Sequence, residues 1–294
     1  MTTNQFMLVD GMALLFRGYF STAFRNHFMK TKNGIPTNGM YQFSRYLFDA
    51  INHFQPTHVI CCWDMGSKTF RNEIYPDYKA NREEPPAELI PQFDLVKEVT
   101  ESLSIPNIGL VHYEADDCIG TLATQLDEHL VTILTGDQDI LQLVDERTQV
   151  AIMRKGIGNY EVFTSDNFYE KKGIFPNQIV DLKGLMGDSV DNYPGVKGIG
   201  EKTALKLLKE HGSVENILAS LGELTKALQT KIKTDLELLH LSRNLAQIKR
   251  DVPIRCVPDE AIWQVDMEKA KLKFEEFEME KLLESIDTDQ PLPH

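Results

Sequence analysis

Four short apolar runs, FMLVD, HVICCWD, LVHYE and TILTGD, each end on a carboxylate, and helical patterns separate them. Runs of this length read as buried strands. Residues 5–10 and 57–64 supply the first two. Between them Met40, Phe43, Leu47, Ile51 and Phe54 recur at helical spacing. A second helix is predicted over 87–103, with Leu89, Phe93, Val96, Val99 and Leu103 on one face. Strands follow near 108–113 and 130–135, around a helix that starts near Glu114, and 150–164 adds one or two strands near the sheet edge. This alternation predicts an α/β fold, a parallel central sheet with flanking helices.

In such a sheet the ligand crevice lies outside the carboxyl ends of the strands. Nine acids spread over 182 positions fall at predicted strand ends or turns: Asp10, Asp64, Glu114, Asp116, Asp117, Asp137, Asp139, Asp188 and Asp191. Taken singly, each suits a turn or the first turn of a helix. Helix capping accounts for one or two acids of YEADDCIG but not for the other six. Gathered at one edge they repel, and the crevice needs divalent cations. Oxygen donors without His or Cys indicate Mg²⁺ or Mn²⁺, and a pair of such ions suits phosphodiester hydrolysis. Asp10 as a nucleophile forming an aspartyl-phosphate is the weaker alternative, because Met12 stands where that chemistry usually has a second Asp.

Three regions follow: 1–164 as the metal-binding α/β core, 165–256 as a helical region, and 257–294 as an acidic tail ending in PLP, either docked as a helix or frayed. A helical run is predicted near 223–248. The tail holds 11 acidic and 4 basic residues, so −7 of the chain's −13 resides there. With the nine candidate ligands also set aside, the remaining body is +3, and overall acidity does not exclude a DNA-binding surface. Cys61, Cys62, Cys118 and Cys256 lack metal-type spacing and indicate free thiols in a reducing cytoplasm. The start MTTNQF lacks a signal-peptide pattern, and no apolar run reaches membrane-span length.

Two further segments point to nucleic acid. Residues 65–86 form a basic arch in which Lys68, Arg71, Lys79 and Arg82 interleave with Phe70, Tyr75 and Tyr78, a pattern suited to single strands. The arch begins beside Asp64, so it should overhang the crevice as a gate for one strand. PGVKGIGEKTA places Gly195, Lys197, Gly198, Gly200, Lys202 and Thr203 ahead of or within a helix start, part of a helix–hairpin–helix over 188–210. Its glycines and amides suit phosphate contact. A Rossmann loop would follow a strand, whereas a helix precedes this one. FRGYFSTAFRNHF, after the first strand, reads as core packing.

Together VDGMALLFRGYF, NGIPTNGMYQF, DMGSKTFRNEIYPDYKANR, YEADDCIGTLA, LTGDQDILQLV and GDSVDNYPGVKGIGEKTA resemble the bacterial 5′-nuclease family of flap endonucleases and 5′→3′ exonucleases. That family includes the nuclease domain of bacterial DNA polymerase I. The resemblance runs from about residue 7 to about 250. It implies a first-ion group of Asp10, Asp64, Glu114 and Asp116, with Asp117 close by, and a second-ion group of Asp137, Asp139, Asp188 and Asp191. Asp10, Asp64, Asp116 and Asp137 are therefore expected in the catalytic set with Lys79 and Arg82, which match a basic pair at the scissile phosphate. It further implies K⁺ at the hairpin carbonyls, DNA contacts from Lys79, Arg82 and the hairpin glycines, and a 5′-phosphate and a 3′-hydroxyl as products. The arch pattern itself adds Lys68, Arg71 and Tyr78, and the hairpin segment Lys197, Lys202 and Thr203, as expected DNA contacts. Gln138 stands where the family often has Lys, and Lys197 where Pro is common. The expected partners are DNA with a 5′ flap and nicked or 5′-overhang duplex, with or without an RNA primer, bound by a stand-alone monomer. A non-catalytic DNA-structure-binding protein and a carboxylate-metal ribonuclease are the alternatives.

Overall fold

The computed structural model describes residues 4–23 and 28–286. Residues 24–27 of the aromatic run FRGYFSTAFRNHF and the PLP ending lie outside the described residues. The first half contains β1 (Gln5–Asp10), α1 (Gly11–Ala23), α2 (Asn38–Phe54), β2 (His58–Cys62), α3 (Phe70–Ile74), α4 (Gln92–Ser102), β3 (Asn107–Ile108), α5 (Ala115–Gln125), β4 (Leu130–Thr135), β5 (Thr148–Met153) and β6 (Tyr160–Phe163). Then come α6 (Ser165–Lys172), α7 (Ile179–Met186), β7 (Gly187–Asp188), β8 (Tyr193–Pro194), α8 (Glu201–His211), α9 (Val214–Ala219), α10 (Lys226–Thr234), α11 (Leu236–Ala246) and α12 (Met267–Glu276).

The main sheet has the order β3-β2-β1-β4-β5-β6. Its pairs are parallel except β5 with β6, which is antiparallel. After β3 the chain returns to the far side of β1, so the switch point lies between β1 and β4. In an open α/β sheet the ligand crevice forms there.

Side chains alternate across β1 with the period of two expected of a strand. Phe6 and Leu8 pack with α5 and the apolar faces of α7 and α8, while Met7 and Val9 pack with α1, α2 and α4. Met40, Phe43, Leu47 and Ile51 are all buried on α2, as their spacing predicts. Each face of the sheet thus has its own core, and the strand ends between them are left for chemistry.

Several expected elements are corrected. The strand predicted over 108–113 is reduced to β3, because His112 adopts φ 76° and Tyr113 N–H turns back to Leu110 O at 3.1 Å. His112 O instead accepts from Phe70 N–H at 3.0 Å, which anchors the arch root. The helix predicted from 87 starts at Gln92, since Pro91 favours a helix start and disfavours helical backbone at the residue before it. The run predicted over 223–248 breaks into α10 and α11 at Asp235, whose carboxylate accepts Lys197 N–H at 2.8 Å.

The acidic tail is docked as far as residue 286. Ala261 O accepts from Val59 N–H, and Trp263 N–H donates to Thr57 O, both at 2.9 Å. Phe274 of α12 then stacks on Phe48 of α2, with ring centroids 6.1 Å apart. Among the described residues no helix is long and apolar enough to cross a membrane.

Candidate metal centre and nucleic-acid interface

Asp10 is the last residue of β1, where the chain turns directly into α1. A Cβ on Gly11 would sit 2.6 Å from the Trp63 ring, so only glycine lets the helix begin there. Asp10 is 5% exposed and accepts from Ala13 N–H at 2.9 Å and Thr135 Oγ1 at 2.7 Å. Asp64 lies two residues past β2 and accepts Ala115 N–H at 2.6 Å. Glu114 is not at a strand end: it caps α5, whose first turn carries Asp116 and Asp117. Asp137 follows β4 and accepts Asp139 N–H at 2.8 Å. Asp188 belongs to β7, and Asp191 lies in the turn between β7 and β8.

These acids act on one another. Burial pushes the Asp10 carboxyl up to about 7, and the charges of Asp64 and Asp137 push the same way. Asp116 is driven well above the ordinary carboxylate range by burial, then by Asp137 and Asp10. Asp139 rises to about 7 through burial and Asp137, with Lys183 opposing. Burial and Glu114 also raise Asp64. Burial works against Asp188 too, but bonds from Lys183 and two backbone amides hold it below its ordinary value.

Cationic side chains sit among the acids. Lys183 Nζ lies 2.6 Å from Asp139 Oδ1 and also bonds Asp188. Lys79 Nζ lies 2.8 Å from Glu114 Oε1 and 3.8 Å from Asp191 Oδ2. Arg82 reaches Asp191 Oδ1 at 2.6 Å. The arch is folded down onto the crevice, not raised over it. Asn81 Nδ2 bonds Ser189 O at 2.9 Å, Asn192 Nδ2 bonds Asp77 O at 2.7 Å, and Lys79 N–H bonds Asp191 O at 2.8 Å.

Three assigned residues occupy other places. Asp117, expected beside the ions, is fully buried and chelated by the Arg71 guanidinium at 2.7 and 2.8 Å. Arg71, expected on DNA, is 2% exposed for the same reason. Tyr78, also expected on DNA, is 4% exposed and donates toward Glu114 at 3.2 Å and Asp191 at 3.0 Å. Among the other arch residues Lys68 and Arg82 are exposed and Lys79 is half-buried.

The hairpin glycines divide by role. A Cβ on Gly195 would lie 2.2 Å from Gly187 N, so the close approach of β8 to β7 itself requires glycine at this position. Gly198 is exposed with φ +78°, a backbone that side-chain-bearing residues rarely adopt. Gly200 is exposed, nothing lies within 4 Å of an added Cβ, and it caps α8. Lys197 and Lys202 are exposed beside it and Thr203 is half-buried.

Two residues at the crevice escaped the sequence reading. Lys183 precedes Asp188 by five positions, and its basic character inside KGLMGD is the only sequence signal. Thr135, the polar residue ending β4, hydrogen-bonds Asp10. A cavity of about 540 Å³ is lined by Asp137, Asp139, Lys183, Asp188 and Asp191, among others.

Among the described residues no three acids, His or Cys are already gathered into one cation shell. The donors nevertheless fit hard divalent ions. The crevice acids offer oxygen alone, they raise one another's pKa, and Lys79 and Lys183 hold positive charge between paired acids.

Residues 5–173 match the family described as 5′-3′ exonuclease, N-terminal resolvase-like domain. Residues 174–269 match 5′-3′ exonuclease, C-terminal SAM fold. The chain is 54% identical over 271 residues to a 5′-3′ exonuclease of Bacillus subtilis (strain 168), covering 92% of each. It is 40% identical over 289 residues to DNA polymerase I of Bacillus caldotenax, covering 97% of this chain and 32% of that one, so it spans about a third of the polymerase's length. Its fold is that of T5 5′-exonuclease solved with bound divalent zinc ions, with a TM-score of 0.67, 22% identity, and 96% of this chain and 100% of that chain covered. All six strands of the main sheet fall within the first matched unit and the glycine hairpin within the second, and the chain belongs to the 5′-3′ exonuclease family.

Proposed function

We propose that this enzyme is a structure-specific 5′-nuclease that hydrolyses DNA phosphodiesters at 5′ flaps, nicks and 5′ overhangs, as a monomer in the cytoplasm. Asp10, Asp64, Glu114 and Asp116 would hold one Mg²⁺ or Mn²⁺, and Asp137, Asp139, Asp188 and Asp191 a second. A pair of hard ions at such a site supplies an activated water and Lewis acidity toward the phosphoryl oxygens. Lys79 and Arg82 then exchange their carboxylate partners for the scissile phosphate and stabilise charge developing in the transition state. The glycine hairpin and Lys197 and Lys202 hold the duplex by its backbone without reading sequence. The products would carry a 5′-phosphate and a 3′-hydroxyl. A K⁺ ion at the hairpin would have to share the Gly198 carbonyl with Lys231 Nζ, which bonds it at 2.9 Å.

The observation that carries this reading is the electrostatic web at one sheet edge. Acids from β1, the end of β4 and the start of α5 raise one another, and Lys79 and Arg82 lie against Glu114 and Asp191 at its rim. T5 flap endonuclease, solved with DNA and metal ions, shares the fold at a TM-score of 0.65 and 22% identity. The test is product mapping on a labelled 5′-flap. Cleavage at the junction with Mg²⁺ and none with EDTA supports the reading; binding without cleavage under both conditions contradicts it.

A further inference from the structure

Beneath the crevice lies an ion pair that the proposed chemistry does not use. Arg71 Nη1 meets Asp117 Oδ2 at 2.7 Å, and Nη2 meets Oδ1 at 2.8 Å. The two side chains are 2% and 0% exposed. The remaining hydrogen bonds of the two side chains go to backbone. Arg71 Nε donates to Leu245 O at 2.8 Å and Nη2 to Gln247 O at 2.9 Å. Asp117 accepts Lys249 N–H at 2.9 Å and Glu114 N–H at 3.1 Å.

A buried pair of this kind is a poor device for stability alone, since well-packed apolar residues of similar volume do as well or better. The planar guanidinium fork does fix the relative position of everything it bonds. Here it bonds three suppliers of the crevice. Arg71 lies on α3 at the root of the arch, eight residues before Lys79. Asp117 lies in the first turn of α5, between the crevice acids and the buried face. Leu245 to Lys249 run from the last turn of α11 into the segment after it, and α11 packs along α7, the helix that leads to Asp188. Arg71 Nη1 also lies 3.4 Å from Glu114 Oε2, the oxygen opposite the one held by Lys79.

We propose that Arg71 and Asp117 are positioning residues for phosphodiester cleavage, locking the arch, the α5 acids and the helical region into one geometry. Asp117 holds no ion: both its oxygens serve Arg71 and the two amides. This assignment rests on the nuclease reading of the crevice, and wild-type cleavage of the flap tests that reading by itself.

The experiment compares Asp117→Asn, Arg71→Lys and the apolar double variant Arg71→Met/Asp117→Leu with wild type. The readouts are Mn²⁺ affinity by paramagnetic resonance, thermal melting, and single-turnover cleavage of flap DNA at saturating Mn²⁺ and saturating enzyme. Asp117→Asn should bind Mn²⁺ like wild type yet cleave about tenfold or more slowly, as misplaced reacting groups do. Arg71→Lys keeps the charge but loses the fork, and should show the same split. The double variant leaves neither partner as a lone buried charge but strips Leu245 O, Gln247 O and the Lys249 and Glu114 amides of their bonds. Its melting should therefore rise above that of Asp117→Asn while its rate stays low. Weaker Mn²⁺ binding by Asp117→Asn, with the rate restored at high Mn²⁺, would make Asp117 a ligand and overturn the assignment. Full rate in Arg71→Lys, or recovery of rate together with melting in the double variant, would reduce the pair to a structural plug.

Discussion

The ammonium of Lys79 lies 2.8 Å from Glu114 Oε1, so an arch cation rests on an acid proposed to hold the first ion. Lys79 also has φ 57°, a left-handed backbone that side-chain-bearing residues seldom take, and its N–H is tied to Asp191 O. Burial lowers its pKa, but Glu114 and Asp191 outweigh burial and keep it charged. In the proposed mechanism this lysine moves from carboxylate to phosphate when ions occupy the crevice.

Lys79→Ala should therefore reduce the single-turnover rate by about 100-fold or more, as loss of one electrostatic stabiliser does, and weaken flap affinity much less. Single-turnover kinetics at saturating enzyme separate the two effects. A fall in affinity with an unchanged saturated rate would restrict Lys79 to gripping phosphate in the ground state.

The hairpin gives a prediction about DNA affinity alone. Gly198→Val places a β-branched residue at φ +78° with its Cβ 2.9 Å from Lys231 Nζ. Duplex affinity, measured by fluorescence anisotropy, should fall while Mn²⁺ binding at the crevice is retained. Equal affinity in the folded variant would make the hairpin a mere connector between α7 and α8.

The acids near neutrality predict a pH dependence of ion binding. Asp10 and Asp139 are raised to about 7 without ions, so below that pH each carries a proton that a cation must displace. Raising the pH through 7 removes this competition, and Mg²⁺ affinity should rise by about tenfold per carboxyl between pH 6 and pH 8. Calorimetric titration in buffers of different ionisation enthalpy also counts the released protons. An affinity flat across that range contradicts the coupling.

How much of this was legible in the sequence follows from the range of each interaction. Asp10 and the alternation of Met7 and Val9 against Phe6 and Leu8 follow from strand periodicity, a local signal. The buried face of α2 follows from helical spacing in the same way. The shortening of the third strand does not, because it depends on His112 O accepting from Phe70 N–H at the arch root, 42 residues earlier in the chain. Arg71 and Asp117 are separated by 46 positions, and nothing in their neighbourhoods distinguishes a chelated pair from an exposed base and an exposed acid. Arg71 reads with the basic arch and Asp117 with the acidic cluster, whereas tertiary pairing buries both. Lys183 escaped because a lone lysine on a helix is ordinarily solvated, whereas here it lies between Asp139 and Asp188.

The most direct test of the central claim, that two groups of acids each hold a divalent ion, is to count the ions. Mn²⁺ binding to the enzyme on flap DNA, followed by paramagnetic resonance, should saturate at two ions in wild type. With Asp188→Ala and Asp191→Ala together it should saturate at one, with cleavage crippled and DNA binding kept or tightened, since negative charge beside a polyanion has been removed. One ion in wild type, or two in the double variant with cleavage unimpaired at low Mn²⁺, would contradict the account.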